Sequence, residues 1–230
     1  MANEIPKPID SGDDKSRAAF RRLLLSKRLF MHGLEHSKNL GMLDKMIAVH
    51  NFHNAIEIAL KAILLHYDIP TDNQHDISFN DMIKAINRYD SFKRRKLIIP
   101  YQRQIVNLNQ YRNLVQHHGF EPESSSMDDW RIYCRDFLVQ VCQDYFDQSY
   151  NDISSVDLIA DSTLRGLMNL SMVSLNEKKF GKSAIFSKLG FEWARTAILD
   201  FLPNEKVVSL VYSGGDLSDA LEKLEEKADQ

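Results

Sequence analysis

The sequence predicts an all-α protein: an antiparallel bundle of about five helices with a helical C-terminal extension. Three observations carry this. Glycine and proline are sparse, 9 and 6 in 230 residues, too few for a turn-dense β architecture. Apolar residues recur at intervals of three and four along several segments, the period of a helix that buries one face. Capping signals bracket those segments and leave short connections between them. Hydrophobic residues at 43% and charged residues at 27% place the chain among folded globular domains.

Residues 1–14 hold both early prolines and a Ser-Gly-Asp-Asp run, and read as a flexible tail. The bundle is expected over residues 15–150. Its first helix, about 15–38, carries seven basic residues against Glu35. The second, about 42–67, places Met42, Met46, Val49, His53, Ile56, Leu60, Ile63 and Tyr67 on one face. Asp68-Ile69-Pro70 stops it. Ser78 with Asp81 forms a capping box that opens a short third helix.

Lys93-Arg94-Arg95-Lys96 reads as a basic connector, and Pro100 suits the first turn of a fourth helix. That helix has the stripe Tyr101, Ile105, Leu108 and Val115, and Gly119 is a natural stop. Ser126 with Asp129 opens a fifth helix that packs through Trp130, Tyr133, Phe137 and Val141. Residues 151–230 form the extension. One helix there carries Leu158, Leu164, Leu167 and Met168, and another carries Phe186, Leu189, Trp193 and Ile198. A short strand at Val207–Tyr212 and an amphipathic tail helix with Leu217, Leu221 and Leu224 complete it.

A net charge of -3 excludes a globally basic nucleic-acid coat. The charge is nevertheless segregated. Residues 84–112 hold eight basic side chains against Asp90, and residues 121–161 hold ten acids against Arg131 and Arg135. Either solvated helix faces or an anion-facing side opposite an acidic one accounts for this. Cys134 and Cys142, about 12 Å apart along one helix, cannot bond to each other. They read as reduced thiols of a cytoplasmic protein. No signal peptide is recognisable, and the best apolar run, Ala55 to Leu65, is interrupted by Glu57 and Lys61 and too short for a bilayer. No membrane partner is expected.

Phe180-Gly181-Lys182-Ser183 resembles the end of a phosphate-binding loop, but Asn176 stands where that loop needs glycine. His32 with His36, and His50 with His53, are one helical turn apart. With no cysteine near either pair, ordinary surface or core histidines are expected, and neither a metal nor a cofactor.

The informative stretch is Tyr111-Arg112-Asn113-Leu114-Val115-Gln116-His117-His118-Gly119. Arg112 falls on the apolar stripe between Leu108 and Val115. A guanidinium there needs a carboxylate such as Glu57, a subunit interface or an anionic ligand. His117 lies about 140° around the helix from Arg112 and about 7.5 Å along it. The two converge only if the helix unwinds near Gly119 or a second copy supplies the complementary pair.

This stretch resembles the signature of the HEPN superfamily: an Arg, commonly a polar residue such as Asn, and a His after four to six intervening residues. Arg112, Asn113 and His117 match it, and His118 fits with five between. Asn54 to Leu65 is similar to the family's long second helix. The resemblance covers about residues 15–150 and leaves 151–230 unaccounted for.

It implies a HEPN-like bundle that forms a homodimer through the Arg112–His117 helix, with a composite Arg/His site. The implied activity is a metal-independent endoribonuclease leaving a 2′,3′-cyclic phosphate, an effector in a defence or toxin–antitoxin system. His117 would move the proton, Arg112 would stabilise charge developing on phosphorus, Asn113 would orient, and His118 is a substitute base. Lys93, Arg94, Arg95, Lys96 and Arg103 would track the RNA backbone. Other family members are non-catalytic RNA-binding or dimerisation modules, or toxin–antitoxin components that dock a partner protein, a role open to the extension. In one toxin–antitoxin branch a Tyr two residues after the motif His is modified; this chain has Gly119 there.

Overall fold

A computed structural model describes residues 14–39, 41–71 and 77–201, and all of their regular structure is helical. The residues up to Leu158 form one compact unit and those from Ile159 onward form a second. The expected tail before residue 14, the strand at Val207–Tyr212 and the tail helix lie outside the described residues.

The first unit contains α1 (Asp14–His36), α2 (Met42–His66), α3 (Phe79–Arg88), the short α4 (Asp90–Arg94), α5 (Gln102–His118) and α6 (Ser124–Phe146). α2 is its axis. The stripe read from its large residues understates its burial, because Ala48, Phe52, Ala55, Ala59 and Ala62 are buried as well. Alanines between the large residues let α1, α3, α5 and α6 all approach this helix. α1 runs antiparallel to it: Ser26 Oγ donates to Ala55 O (2.7 Å) and Arg22 to Lys61 O (3.2 Å). At their crossing Gly33 sits against Phe52, where a Cβ would lie 2.8 Å from the ring. Phe52 also packs on Phe30, with centroids 5.8 Å apart.

Ser78 caps α3 as expected, its hydroxyl accepting from the Asp81 N–H at 3.2 Å. Three local readings are corrected. The basic run 93–96 is not a plain connector: Lys93 and Arg94 end α4, whose Phe92 is fully buried against Tyr67 and Tyr145. Pro100 precedes the fourth long helix instead of opening it, since α5 starts at Gln102 behind a left-handed Tyr101 (φ 50°). Ser126 is inside the first turn of α6, which starts at Ser124 with no side-chain cap. Helix ends are the least sharply specified part of a local sequence reading.

After α6 the chain returns to α1. The Lys27 ammonium donates to the carbonyls of Tyr150 (3.0 Å), Asn151 (3.0 Å) and Ile153 (2.9 Å). Ile153 and Val156 are buried, so the first unit extends past residue 150 to Leu158. Cys134 and Cys142 are buried free thiols, and burial pushes the Cys142 thiol up to about 12.

The second unit is a hairpin of α7 (Ser162–Asn176) and α8 (Phe180–Phe201). Asp161 caps α7, accepting from the Leu164 N–H at 2.7 Å. Small residues bring the two helices close: Ser171 Oγ lies 2.7 Å from Ser187 Oγ, and a Cβ on Gly190 would meet Leu164 and Met168 at 3.2 Å. No helix among the described residues is long and apolar enough to cross a membrane.

Candidate active site

α5 carries no acidic residue along its 17 positions. Its buried edge is Ile105, Leu108 and Val115, which seats Arg112, one turn from each of the latter two, beside the core. The helix stays regular to His118. It closes on Gly119 (φ 63°), where the Phe120 N–H reaches Leu114 O at 3.4 Å. Intrahelical unwinding therefore does not bring His117 to Arg112, and no hydrogen bond joins the two among the described residues.

Two contacts fix how α5 lies on α2. His53 Nε2 is 2.8 Å from Asn109 Oδ1, and Lys45 Nζ is 3.9 Å from a carboxylate oxygen of Glu121, just past α5. The helices are thus antiparallel. One turn back from His53 is His50, and one turn on from Asn109 is Arg112. Each step advances about 4.5 Å in the same direction in space, so His50 stands level with Arg112.

Electrostatics agree with this register. Burial holds the His50 imidazole below the usual histidine range, with further depression from the positive charges of Arg112 and His117. His53 is only 2% exposed. Burial depresses it too, against the opposing pull of Glu57 and Asn54. His53 is therefore the core histidine the stripe suggested, and His50 is the residue that sequence reasoning failed to connect with Arg112. The available signal was their equal offsets from a polar pair, His53 and Asn109, facing each other inside an apolar seam.

Arg112 has no carboxylate partner among the described residues. Glu57, the acid the sequence offered, is held by Lys61 at 2.5 Å, with the His53 ring 3.8 Å away. The guanidinium donates to Asn113 Oδ1 at 3.0 Å, and its Nε is shielded from water with no acceptor. His117 and His118 are both exposed. So Arg112, Asn113 and His50 come together within one chain, with His117 at the open end of the same helix.

The predicted backbone-tracking residues divide. Lys93, Arg94, Arg95 and Lys96 are exposed, but α4 packs through Phe92 on Tyr67, at the far end of α2 from His50. Seventeen residues of helix separate those levels, about 25 Å. Arg103 is exposed on α5 itself, about 13 Å along the axis from Arg112. The other histidine pair is occupied elsewhere. His36 lies 2.6 Å from Asp44 and 3.2 Å from His32, and His32 accepts from Asn51 at 3.1 Å.

The depressed histidines set the sign of an acid response. Below about 6.5 the unfolded chain protonates His50 and His53, whereas the folded chain resists. Folding stability is therefore expected to fall as pH drops from 7 through that window. Thermal midpoints at pH 7.5 and 5.5 check this, and His53→Gln should flatten the difference. An equal or higher midpoint at pH 5.5 contradicts it.

Comparison of the chain with models of known families, with curated proteins and with solved structures finds no match.

Proposed function

We propose that the protein is a metal-independent endoribonuclease of HEPN type, acting as a homodimer and serving as a growth-arresting effector in a defence or toxin–antitoxin system. The observation that carries this is the Arg112 guanidinium: half-buried, without a carboxylate partner among the described residues, bonded to Asn113 and level with His50 on the facing helix. A half-buried cation with no carboxylate partner is a ready site for an anion. In RNA that anion is the scissile phosphate.

The chemistry follows from the side chains. A neutral imidazole takes the proton of the ribose 2′-hydroxyl as that oxygen bonds to phosphorus. A protonated imidazole gives a proton to the departing 5′-oxygen as the P–O bond breaks. The products are a 2′,3′-cyclic phosphate and a 5′-hydroxyl, with one proton taken and one returned. His50, held neutral at neutral pH, suits the base. His117, exposed at the helix end, suits the acid, with His118 beside it. Arg112 offsets the charge gathering on the phosphoryl oxygens.

Dimerisation has support at the same helix end, where Leu114 is 46% and Phe120 43% exposed beside the two histidines. A second copy packing on these apolar groups would close the site with its own His117.

Incubating RNA with the purified chain in EDTA, and reading the ends of the fragments by mass spectrometry, tests the proposal. Cyclic phosphate ends are expected from the wild type, with a loss of about a hundredfold or more for His117→Ala. Equal cutting by that variant, or RNA bound but left whole by the wild type, sinks the nuclease and leaves an RNA-binding module.

A further inference from the structure

On the flank of α5 away from α2, a cleft of about 340 Å³ opens between α5 and α6. That volume lies within the range of small-ligand sites, about 300–1,000 Å³. Its apolar wall is Trp130 and Tyr133. These two belong to a continuous run of rings along the α5–α6 seam. Tyr101 meets Tyr133 at 6.3 Å, Tyr133 meets Trp130 at 6.4 Å, Trp130 meets Tyr111 at 5.9 Å, and Tyr111 meets Phe120 at 5.6 Å. The Trp130 indole N–H is shielded from water and has no hydrogen-bond partner among the described residues. Buried indole donors are ordinarily satisfied.

The polar wall is equally specific. Arg103, Gln104 and Asn107 of α5 line the cleft together with Ser126 and Asp129 of α6. α5 holds seven Asn and Gln residues in 17, and amides read base edges because each both donates and accepts.

We propose that this cleft is a nucleobase subsite that takes a guanine of single-stranded RNA near the cut. This rests on the RNA reading above and names the substrate's form and preferred base. A base is the better fit than a phosphate: the lining carries one cation, Arg103, and one anion, Asp129, so a phosphate gains no net attraction there, whereas a base can both donate and accept. An acceptor-only carboxylate pairs with a base offering two adjacent N–H donors on its Watson–Crick edge, and guanine alone does so. The amides of Gln104 and Asn107 can donate to its O6, while the aromatic wall stacks on its face. Asn107 is about 7.5 Å along the helix from Arg112. The exposed Gln110 and Asn113 bridge the solvent face between them, so a strand can cross from cleft to guanidinium. A duplex cannot present a splayed base in this way.

The test reads binding without cleavage. Trp193→Phe in the full chain leaves Trp130 as the sole tryptophan, since the sequence has two. Its fluorescence is titrated with the 5′-monophosphates of guanosine, adenosine, cytidine and uridine, and with ribose 5-phosphate as control. Saturable quenching by the guanosine nucleotide is expected. The other three nucleotides should bind about tenfold or more weakly, and so should the guanosine nucleotide when Asp129→Asn or Asn107→Ala is added. Both substituted residues are exposed, and circular dichroism confirms that the variants fold.

No saturable quenching by any nucleotide overturns the subsite, even in a chain that cuts RNA. Equal response to all four nucleotides, untouched by Asp129→Asn, overturns the guanine assignment. Selective quenching in a chain that cuts nothing upholds the subsite and fails the nuclease.

Discussion

Arg112→Met is expected to lower RNA cleavage by about a thousandfold without weakening the fold. The two effects separate because of where the guanidinium sits. Its neighbours along α5 are core residues, its Nε has no acceptor, and Glu57 is already committed to Lys61. Removing one partner of a buried ion pair destabilises a protein, because a charge is left behind. Here no carboxylate is left behind, and the thioether fills similar volume. Arg112 is only half-buried, so the gain is small, up to about 1 kcal/mol. Single-turnover cleavage and thermal unfolding measured on the same samples decide the matter. If the midpoint drops by several degrees while cleavage persists, Arg112 is a structural residue and the anion site is lost.

The largest stability effect is expected at the α1–α2 crossing. Phe52 is fully buried, packs on Phe30, and lies under Gly33, whose absent side chain gives its ring room. Phe52→Ala should cost about 3–5 kcal/mol through lost burial and the cavity left behind. Gly33→Ala should cost about 1–3 kcal/mol by overpacking against the same ring, offset in part by the better helix propensity of alanine. In the double variant the new methyl enters the space the ring vacated. The combined cost should then fall short of the two single costs added together. Denaturant unfolding of the four proteins measures this coupling. Simple additivity would mean that Gly33 is not set by the Phe52 ring.

Much of this was legible from residue spacing. The α2 stripe, the Ser78 cap and the Gly119 stop are local signals, written within four residues of where they act. What the spacing did not reveal lies between helices. His50 was a surface-or-core histidine until the antiparallel register of α2 on α5 placed it level with Arg112. The Trp130–Tyr133 wall read as ordinary core contacts of α6, and only the position of α5 turned part of it into a cleft. The run 93–96 reads as part of an RNA track from its charge, and its distance from Arg112 along the bundle was not legible. In three dimensions Phe92 pins it to the far end of α2. Alanine carries little weight in a periodicity reading, so the breadth of the buried face of α2 was missed as well.

The Lys27 clamp bears on how the molecule is made. Its three carbonyl acceptors lie more than 120 positions downstream of the lysine, so this contact of α1, unlike its packing on α2, waits until residue 153 has left the ribosome. By then α5 is long since synthesised, yet its seat against α2 belongs to a unit whose closing contact is still missing. The first unit thus gains its last contacts only after its six α-helices have all been synthesised.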